Sequence, residues 1–297
     1  MNNSLFNYQP KRLFTFGCSF THYSWGTWAN CLAKELEPIE FINLGRSGSG
    51  NQYIFNMVMQ ADSIYNFTHE DLVVVQWTNV CREDRFIPQL GEGGWHVPGN
   101  IYSQQTYDSE FVRKYFNEKG AYVRDLASIK ATYEMLKHKT QWHFLQMCDI
   151  IDQPAQWGNQ DGVADKRVED WELDELIKTY HEPLSHIKPS FYNILYNNNI
   201  QSKFDKDRKL INKGFFDGHP SPIEHLMYLK GVFNHEWKDS TDRAVEETQQ
   251  TWVKMLRDAS KGKKNFNINQ TKQRYQDMFF YETKIVGPSY IEHTFIR

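Results

Sequence analysis

No stretch of this sequence approaches the ~20 consecutive apolar residues that a membrane-spanning helix needs. Its first residues, MNNSLFNYQPKRLFTF, lack the apolar centre of a secretory signal. A cytoplasmic location and no membrane contact are expected on that basis. Cysteine is scarce: Cys18, Cys31, Cys81 and Cys148 are scattered, with no CxxC pair. That pattern fits a reduced chain and speaks against a cysteine zinc site. Basic charge is not in excess, because 34 Lys and Arg stand against 37 Asp and Glu for a net charge of -3. A generally basic nucleic-acid binder is therefore disfavoured, and no nucleic-acid partner is expected. Internal repeats are lacking, as are the GK[ST] and GxGxxG patterns of phosphate and dinucleotide loops. No HExxH or other tight His/carboxylate cluster occurs either; Asp217, His219 and His225 are weak metal-ligand candidates, and neither metal nor cofactor is expected.

What the chain has in abundance is aromatic residues, 9 Trp, 16 Tyr and 20 Phe among 297. A soluble chain of that length can bury roughly three quarters of its unfolded surface, so most of these rings have a core to enter. Those in polar loops are the ones to consider as ligand contacts.

The first half of the chain alternates strand and helix signals. Residues 12–17, RLFTFG, read as a buried strand ending in a tight turn, and residues 25–36 space Trp28, Leu32 and Leu36 along one helical face. Residues 40–44, EFINL, predict a second strand, and 52–63 a helix. The unbroken apolar run of DLVVVQW, residues 71–77, predicts a strand buried on both faces, as in a parallel sheet. A helix over 123–137 precedes a fourth strand over 141–147. This order predicts an α/β fold, a doubly wound, flavodoxin-like parallel sheet of about five strands flanked by helices. Residues 82–122 and 149–196 read as insertions leaving the carboxyl ends of strands, where such sheets bind ligands. Helices are expected over 221–237 and 239–259. The α/β domain is expected to span 1–238, with 239–297 a helical C-terminal extension and tail. Its residues 265–297 are rich in aromatics, and are expected to pack back on the domain or to mediate contact with another subunit.

Four short blocks carry chemistry. Gly17-Cys18-Ser19 follows the first strand, where the hydroxyl lies near free N–H groups at the start of the next helix. The glycine-rich Asn43-Leu44-Gly45-Arg46-Ser47-Gly48-Ser49-Gly50-Asn51 lets backbone N–H groups approach a ligand. Gln76-Trp77-Thr78-Asn79 ends the valine-rich strand with an amide that can donate to an oxyanion. Asp217-Gly218-His219 precedes a late helix and offers a base and a carboxylate.

Serine, glycine, asparagine and aspartate–histidine in that chain order resemble the SGNH (GDSL-type) hydrolase superfamily, over residues 12 to about 235. The resemblance implies a serine esterase in which Ser19 is the nucleophile, His219 the base and Asp217 its partner. It implies an oxyanion hole built from the Ser19 N–H, the Gly48 N–H and the Asn79 side chain. The favoured substrate by this resemblance is a small acyl group, such as O-acetyl, on a carbohydrate, or another small-molecule ester. Acyl transfer, or a non-catalytic carbohydrate-binding or structural module on the same fold, are the alternatives. Three blocks depart from the family pattern: Cys18 stands where the family has Asp, QWTN replaces GxND, and DxH replaces DxxH. The last departure makes Asp217 the weakest member of the set, and His225 the fallback base. Cys18 as nucleophile ranks well behind Ser19. Trp25, Arg46, Arg82 and Trp95 follow strand ends or sit in polar loops, and are expected to touch substrate; Arg82 can equally pair with Glu83 or Asp84.

Overall fold

The computed structural model describes residues 5–87, 94–103, 107–151, 169–195 and 219–260. At its centre lies β3 (Asp71–Trp77), whose seven residues are all buried. It pairs in parallel with β1 (Arg12–Phe16) on one side and β6 (Gln141–Gln146) on the other, and β2 (Glu40–Asn43) pairs in parallel with β1. The order β2-β1-β3-β6 is that of the doubly wound sheet the sequence predicts.

Alternation along the strands divides the core in two. Phe14, Phe16, Val73, Val75, Trp77 and Phe144 face α2 (Asn51–Tyr65) and α4 (Glu118–Leu136). Leu13, Leu72, Val74 and Leu145 face α1 (Trp28–Glu35), α8 (Pro222–Val232) and α9 (Asp239–Ser260), which bring Leu32, Leu226, Leu229 and Val245. Apolar burial on both faces explains why β3 reads as a continuous valine run rather than an alternating one. Each fully buried Val or Leu contributes about 1.5–3 kcal/mol relative to exposure. At the edge of β3, Asp71 accepts from Arg12 Nε and Nη2, both at 2.7 Å, which satisfies a carboxylate that is 1% exposed.

Four strands, not five, form the described sheet. Beyond β6 the fifth position is reduced to one parallel bridge between Phe144 and Ile187, with the Lys188 N–H donating to the Phe144 carbonyl at 2.9 Å. Pro189 follows, with no N–H to extend the ladder, and α7 (Phe191–Leu195) begins two residues later.

The stretch 82–122 holds a two-stranded antiparallel ribbon of β4 (Arg85–Ile87) and β5 (Gly94–His96), α3 (Ser109–Tyr115) and the first turn of α4. The stretch 149–196 contributes α5 (Asp170–Thr179), α6 (His181–Leu184) and α7. The first helix starts at Trp28 rather than at residue 25, because Thr27 is extended and caps it. The Thr27 N–H donates to Asn30 Oδ1 at 3.0 Å and its hydroxyl to the Thr21 carbonyl at 2.6 Å. The expected tail at 265–297 lies outside the described residues. No described helix is long and apolar enough to cross a membrane.

Candidate active site

The first three blocks meet at the carboxyl edge of the sheet, and hydrogen bonds between them fix their spacing. Gly17 ends β1, and a Cβ at this position would stand 2.1 Å from Thr21 Oγ1, so only glycine lets the turn close. The Thr21 N–H donates to the Cys18 carbonyl at 2.9 Å, and Thr21 Oγ1 donates to Gln76 Oε1 at 2.9 Å. Ser19 is therefore presented on a tight turn braced against β3. It is 7% exposed, and its hydroxyl makes no hydrogen bond among the described residues.

The glycine-rich block folds over that turn. The Gly17 carbonyl accepts from the Arg46 N–H at 2.9 Å and from the Ser49 hydroxyl at 3.0 Å. Asn43 Nδ2 donates to the Thr21 carbonyl at 3.0 Å, while its Oδ1 accepts from the Gly45 N–H at 3.0 Å. Gly48 adopts φ +86°, and a Cβ there would lie 2.4 Å from the Val97 carbonyl oxygen. A side chain is excluded twice over, by conformation and by the chain passing above.

Asn79 Oδ1 accepts from the Cys81 N–H at 2.6 Å, a local turn that holds the amide with its oxygen toward the loop. The block before it is tied to α2. Asn51 Oδ1 accepts from the Thr78 N–H at 2.8 Å, and its Nδ2 donates to the Thr78 carbonyl at 2.9 Å and to Asp125 Oδ2 at 2.8 Å. Burial pushes the Asp125 carboxyl up to about 6, against the pull of Arg124 and Asn51. At the start of α2, Asp84 accepts from the N–H groups of Gly50 and Tyr53 at 2.8–2.9 Å and so satisfies two of the helix's free donors. Its carboxyl is also pushed upward by burial, in spite of those donors.

The fourth block arrives from the far end of the chain. His219 stacks on Tyr23, with ring centroids 3.8 Å apart and planes at 19°, and meets Phe20 edge-on at 5.7 Å. The next residue, Pro220, accepts at its carbonyl from Trp25 Nε1 at 2.8 Å. The histidine thus rests on the segment that begins with Ser19. Asp217 lies outside the described residues. His225 is one turn into α8, and its ring also meets Phe20, at 6.2 Å. It is 1% exposed, and burial, with the neighbouring His219, holds it well below the usual imidazole range.

The four residues expected to touch substrate have different fates. Arg46 and Trp95 converge on Tyr53: the guanidinium lies 5.6 Å from the ring centroid and the indole meets it edge-on at 5.8 Å. Trp25 is 1% exposed and belongs to the packing that holds the His219 loop, with Tyr23 and Trp252 against its ring. Arg82 pairs with neither Glu83 nor Asp84 by a direct salt bridge. Instead Nη1 donates to the Ser49 carbonyl at 2.7 Å and Nη2 approaches Met147 Sδ at 3.6 Å. Glu83 pairs with Arg124 at 2.8 Å and with Arg85 at 3.1 Å.

No family model matches this chain, and no curated protein matches it. Among solved structures it is similar to a member of the lipolytic G-D-S-L family from Veillonella parvula, at 13% identity and a TM-score of 0.38, over 76% of this chain and 99% of that one. It is also similar to the psychrotrophic esterase EstA from a Pseudoalteromonas species, in a structure inhibited by monoethylphosphonate. There the identity is 11% and the TM-score 0.36, over 75% of this chain and 96% of that one.

Sequence reasoning missed the residues that hold the blocks in place. Asp84, Asn51 and Asp125 act across elements distant in sequence, so no local spacing announces them. Met147 carries the least signal of all. Its sulfur is approached by Cys18 Sγ at 3.7 Å, Thr78 Oγ1 at 3.7 Å and Arg82 Nη2 at 3.6 Å. Nothing about a methionine at the end of an apolar strand indicates such a role.

Proposed function

We propose that the chain is a serine ester hydrolase of the SGNH type. Ser19 attacks the ester carbonyl and His219 takes its proton. The N–H groups of Ser19 and Gly48, with the Asn79 amide, receive the charge that develops on the carbonyl oxygen. Water then releases the acyl group from Ser19, with His219 acting in reverse. Asp217 is proposed as the carboxylate that orients His219. The substrate is proposed to be a small acyl ester, with an O-acetyl carbohydrate favoured and its leaving group lying toward Arg46 and Trp95.

The observation that carries this reading is the packing of His219 on Tyr23 and Phe20, which brings an imidazole from the last third of the chain onto the Ser19 turn. A panel of acetyl and longer acyl esters tests it. Hydrolysis that falls at least 1000-fold in Ser19→Ala supports the assignment, whereas unchanged hydrolysis in that variant overturns it.

The burial of Ser19 favours one second reading, a binding module that keeps the fold without turnover. A folded chain that binds acylated sugars and hydrolyses none of the panel supports that alternative. Acceptor-dependent formation of a new ester would instead mark acyl transfer.

A further inference from the structure

Arg82 carries a cation to the carboxyl edge of the sheet, and the atoms its guanidinium meets there are not anions. Nη1 donates to the Ser49 carbonyl at 2.7 Å, and Nη2 lies 3.6 Å from Met147 Sδ. A thioether is a weak acceptor. Among the described residues, no carboxylate forms a salt bridge with this guanidinium.

The carboxylates around it are committed elsewhere. Glu83 is held by Arg124 at 2.8 Å and by Arg85 at 3.1 Å. Asp84 accepts from the N–H groups of Gly50 and Tyr53, and burial raises its carboxyl although the charge of Arg82 opposes this. Asp125 is held by Arg124 at 2.7 Å and by Asn51 at 2.8 Å. Asp149, which with Arg82 acts on the buried Cys148 thiol, accepts from Gln146 Nε2 at 3.0 Å and from Asn193 Nδ2. Arg82 thus precedes two acids in the sequence and is turned away from both.

The place of the guanidinium ties it to the reaction. Ser49 follows Gly48, and Met147 Sδ lies 3.7 Å from Cys18 Sγ and 3.7 Å from Thr78 Oγ1, on the residues before Ser19 and Asn79. The cation therefore stands among the neighbours of all three proposed oxyanion donors. Arg82 is partly buried, so its charge is screened less than one at the open surface. A guanidinium in such a position takes a carboxylate through two parallel N–H···O bonds.

We propose that Arg82 selects an anionic ester, one that carries a carboxylate close to the scissile bond. The guanidinium receives that carboxylate while Ser19 attacks the ester carbonyl, so the selection rests on the Ser19 reading above. For an O-acetyl carbohydrate it means an acidic sugar.

Two matched pairs of esters test this at constant ionic strength. Ethyl hydrogen glutarate against ethyl glutaramate places the charge in the acyl half, and 3-acetoxypropanoate against 3-acetoxypropanamide places it in the alcohol half. In at least one pair the carboxylate is expected to exceed its amide about 10-fold or more in kcat/KM. Arg82→Gln should bring that ratio close to one by slowing the carboxylate. A merely structural role for Arg82 would slow both members equally and leave the ratio unchanged. The pair that shows the preference identifies the charged half. Ratios near one in both wild-type pairs, or a ratio that survives in Arg82→Gln, overturn the proposal. Should Arg82→Gln fail to fold, Arg82→Lys, which loses the planar fork, should narrow the ratio, and an unchanged ratio there overturns the proposal. If the wild type hydrolyses none of the four esters, the Ser19 reading fails, and calorimetric titration of the chain with the same pairs decides the role of Arg82. Tighter binding of a carboxylate than of its amide, lost in the Arg82 variant, supports the selection; equal binding overturns it.

Discussion

Trp25 and Pro220 stand 195 residues apart in the chain, yet the indole Nε1 of one donates to the carbonyl of the other at 2.8 Å. This bond sits directly after His219, and beside it Tyr23 supplies the face on which the imidazole stacks. The loop that carries the proposed base is therefore positioned by the residues that follow the proposed nucleophile.

Replacing Trp25 with Phe removes the donor and keeps most of the ring. A buried carbonyl left without its partner costs about 1–3 kcal/mol. The expected outcome is a modest fall in melting temperature and a fall in kcat of roughly 10- to 100-fold, equivalent to about 1.4–2.7 kcal/mol in the barrier. Equal kcat in wild type and Trp25→Phe would show that the bond does not position His219.

Met147 touches a neighbour of each proposed oxyanion donor: Cys18 beside Ser19, Thr78 beside Asn79, and Arg82, which in turn holds the carbonyl of Ser49 beside Gly48. Met147→Leu keeps the volume and loses the sulfur, a swap that costs less than about 1.5 kcal/mol in most cores. Turnover is expected to fall several-fold with KM nearly unchanged, while replacement of methionine by selenomethionine retains the acceptor and the rate. A leucine variant with full kcat contradicts this role for the sulfur.

Gly48 combines φ +86° with a carbonyl 2.4 Å from where a Cβ would stand. The positive φ alone costs a side chain about 1–3 kcal/mol, and the overlap with Val97 adds to it. Gly48→Ala should unfold at lower denaturant concentration and react more slowly with esters, since relief of the clash moves the N–H proposed to face the oxyanion. Denaturant unfolding and initial rates measure the two effects separately.

The architecture was legible in the chain because β3 and its neighbours bury apolar residues on both faces, which leaves an unbroken run such as LVVV in the sequence. The strand at the fifth position was not, because its single bridge at Ile187 is stopped by Pro189 and leaves no run to read. Of the candidate site, Ser19, Gly48 and Asn79 could be named because each sits in a short block at a strand end. Trp25 and Arg82 were expected to touch substrate; the partners they have, Pro220 and Ser49, are backbone carbonyls that no residue type announces. The same holds for Asp84, whose partners are the N–H groups of Gly50 and Tyr53.

Stability should depend on pH through Asp125. Its carboxyl is raised in the fold from 3.8 to about 6, so the protonated form is the one the fold favours. The contribution is complete below about pH 4 and is lost as pH rises through about 6. His143, lowered in the fold from 6.5 to about 4, acts in the opposite sense: its contribution is present above about pH 6.5 and is lost as pH falls toward 4. Subtracting the unfolding free energy of Asp125→Asn from that of the wild type isolates the first group. The difference should decline between pH 4 and 6 and level off above; a flat difference across that window contradicts the origin assigned to it.

Ser19 is proposed as an activated nucleophile with His219 as its base. Labelling the folded chain with a fluorophosphonate, followed by peptide mapping, tests it without knowledge of the substrate. A single adduct on Ser19 that is lost in His219→Ala is expected. An adduct on another residue, equal labelling of Ser19 in the His219 variant, or no adduct on chain that hydrolyses esters would contradict it.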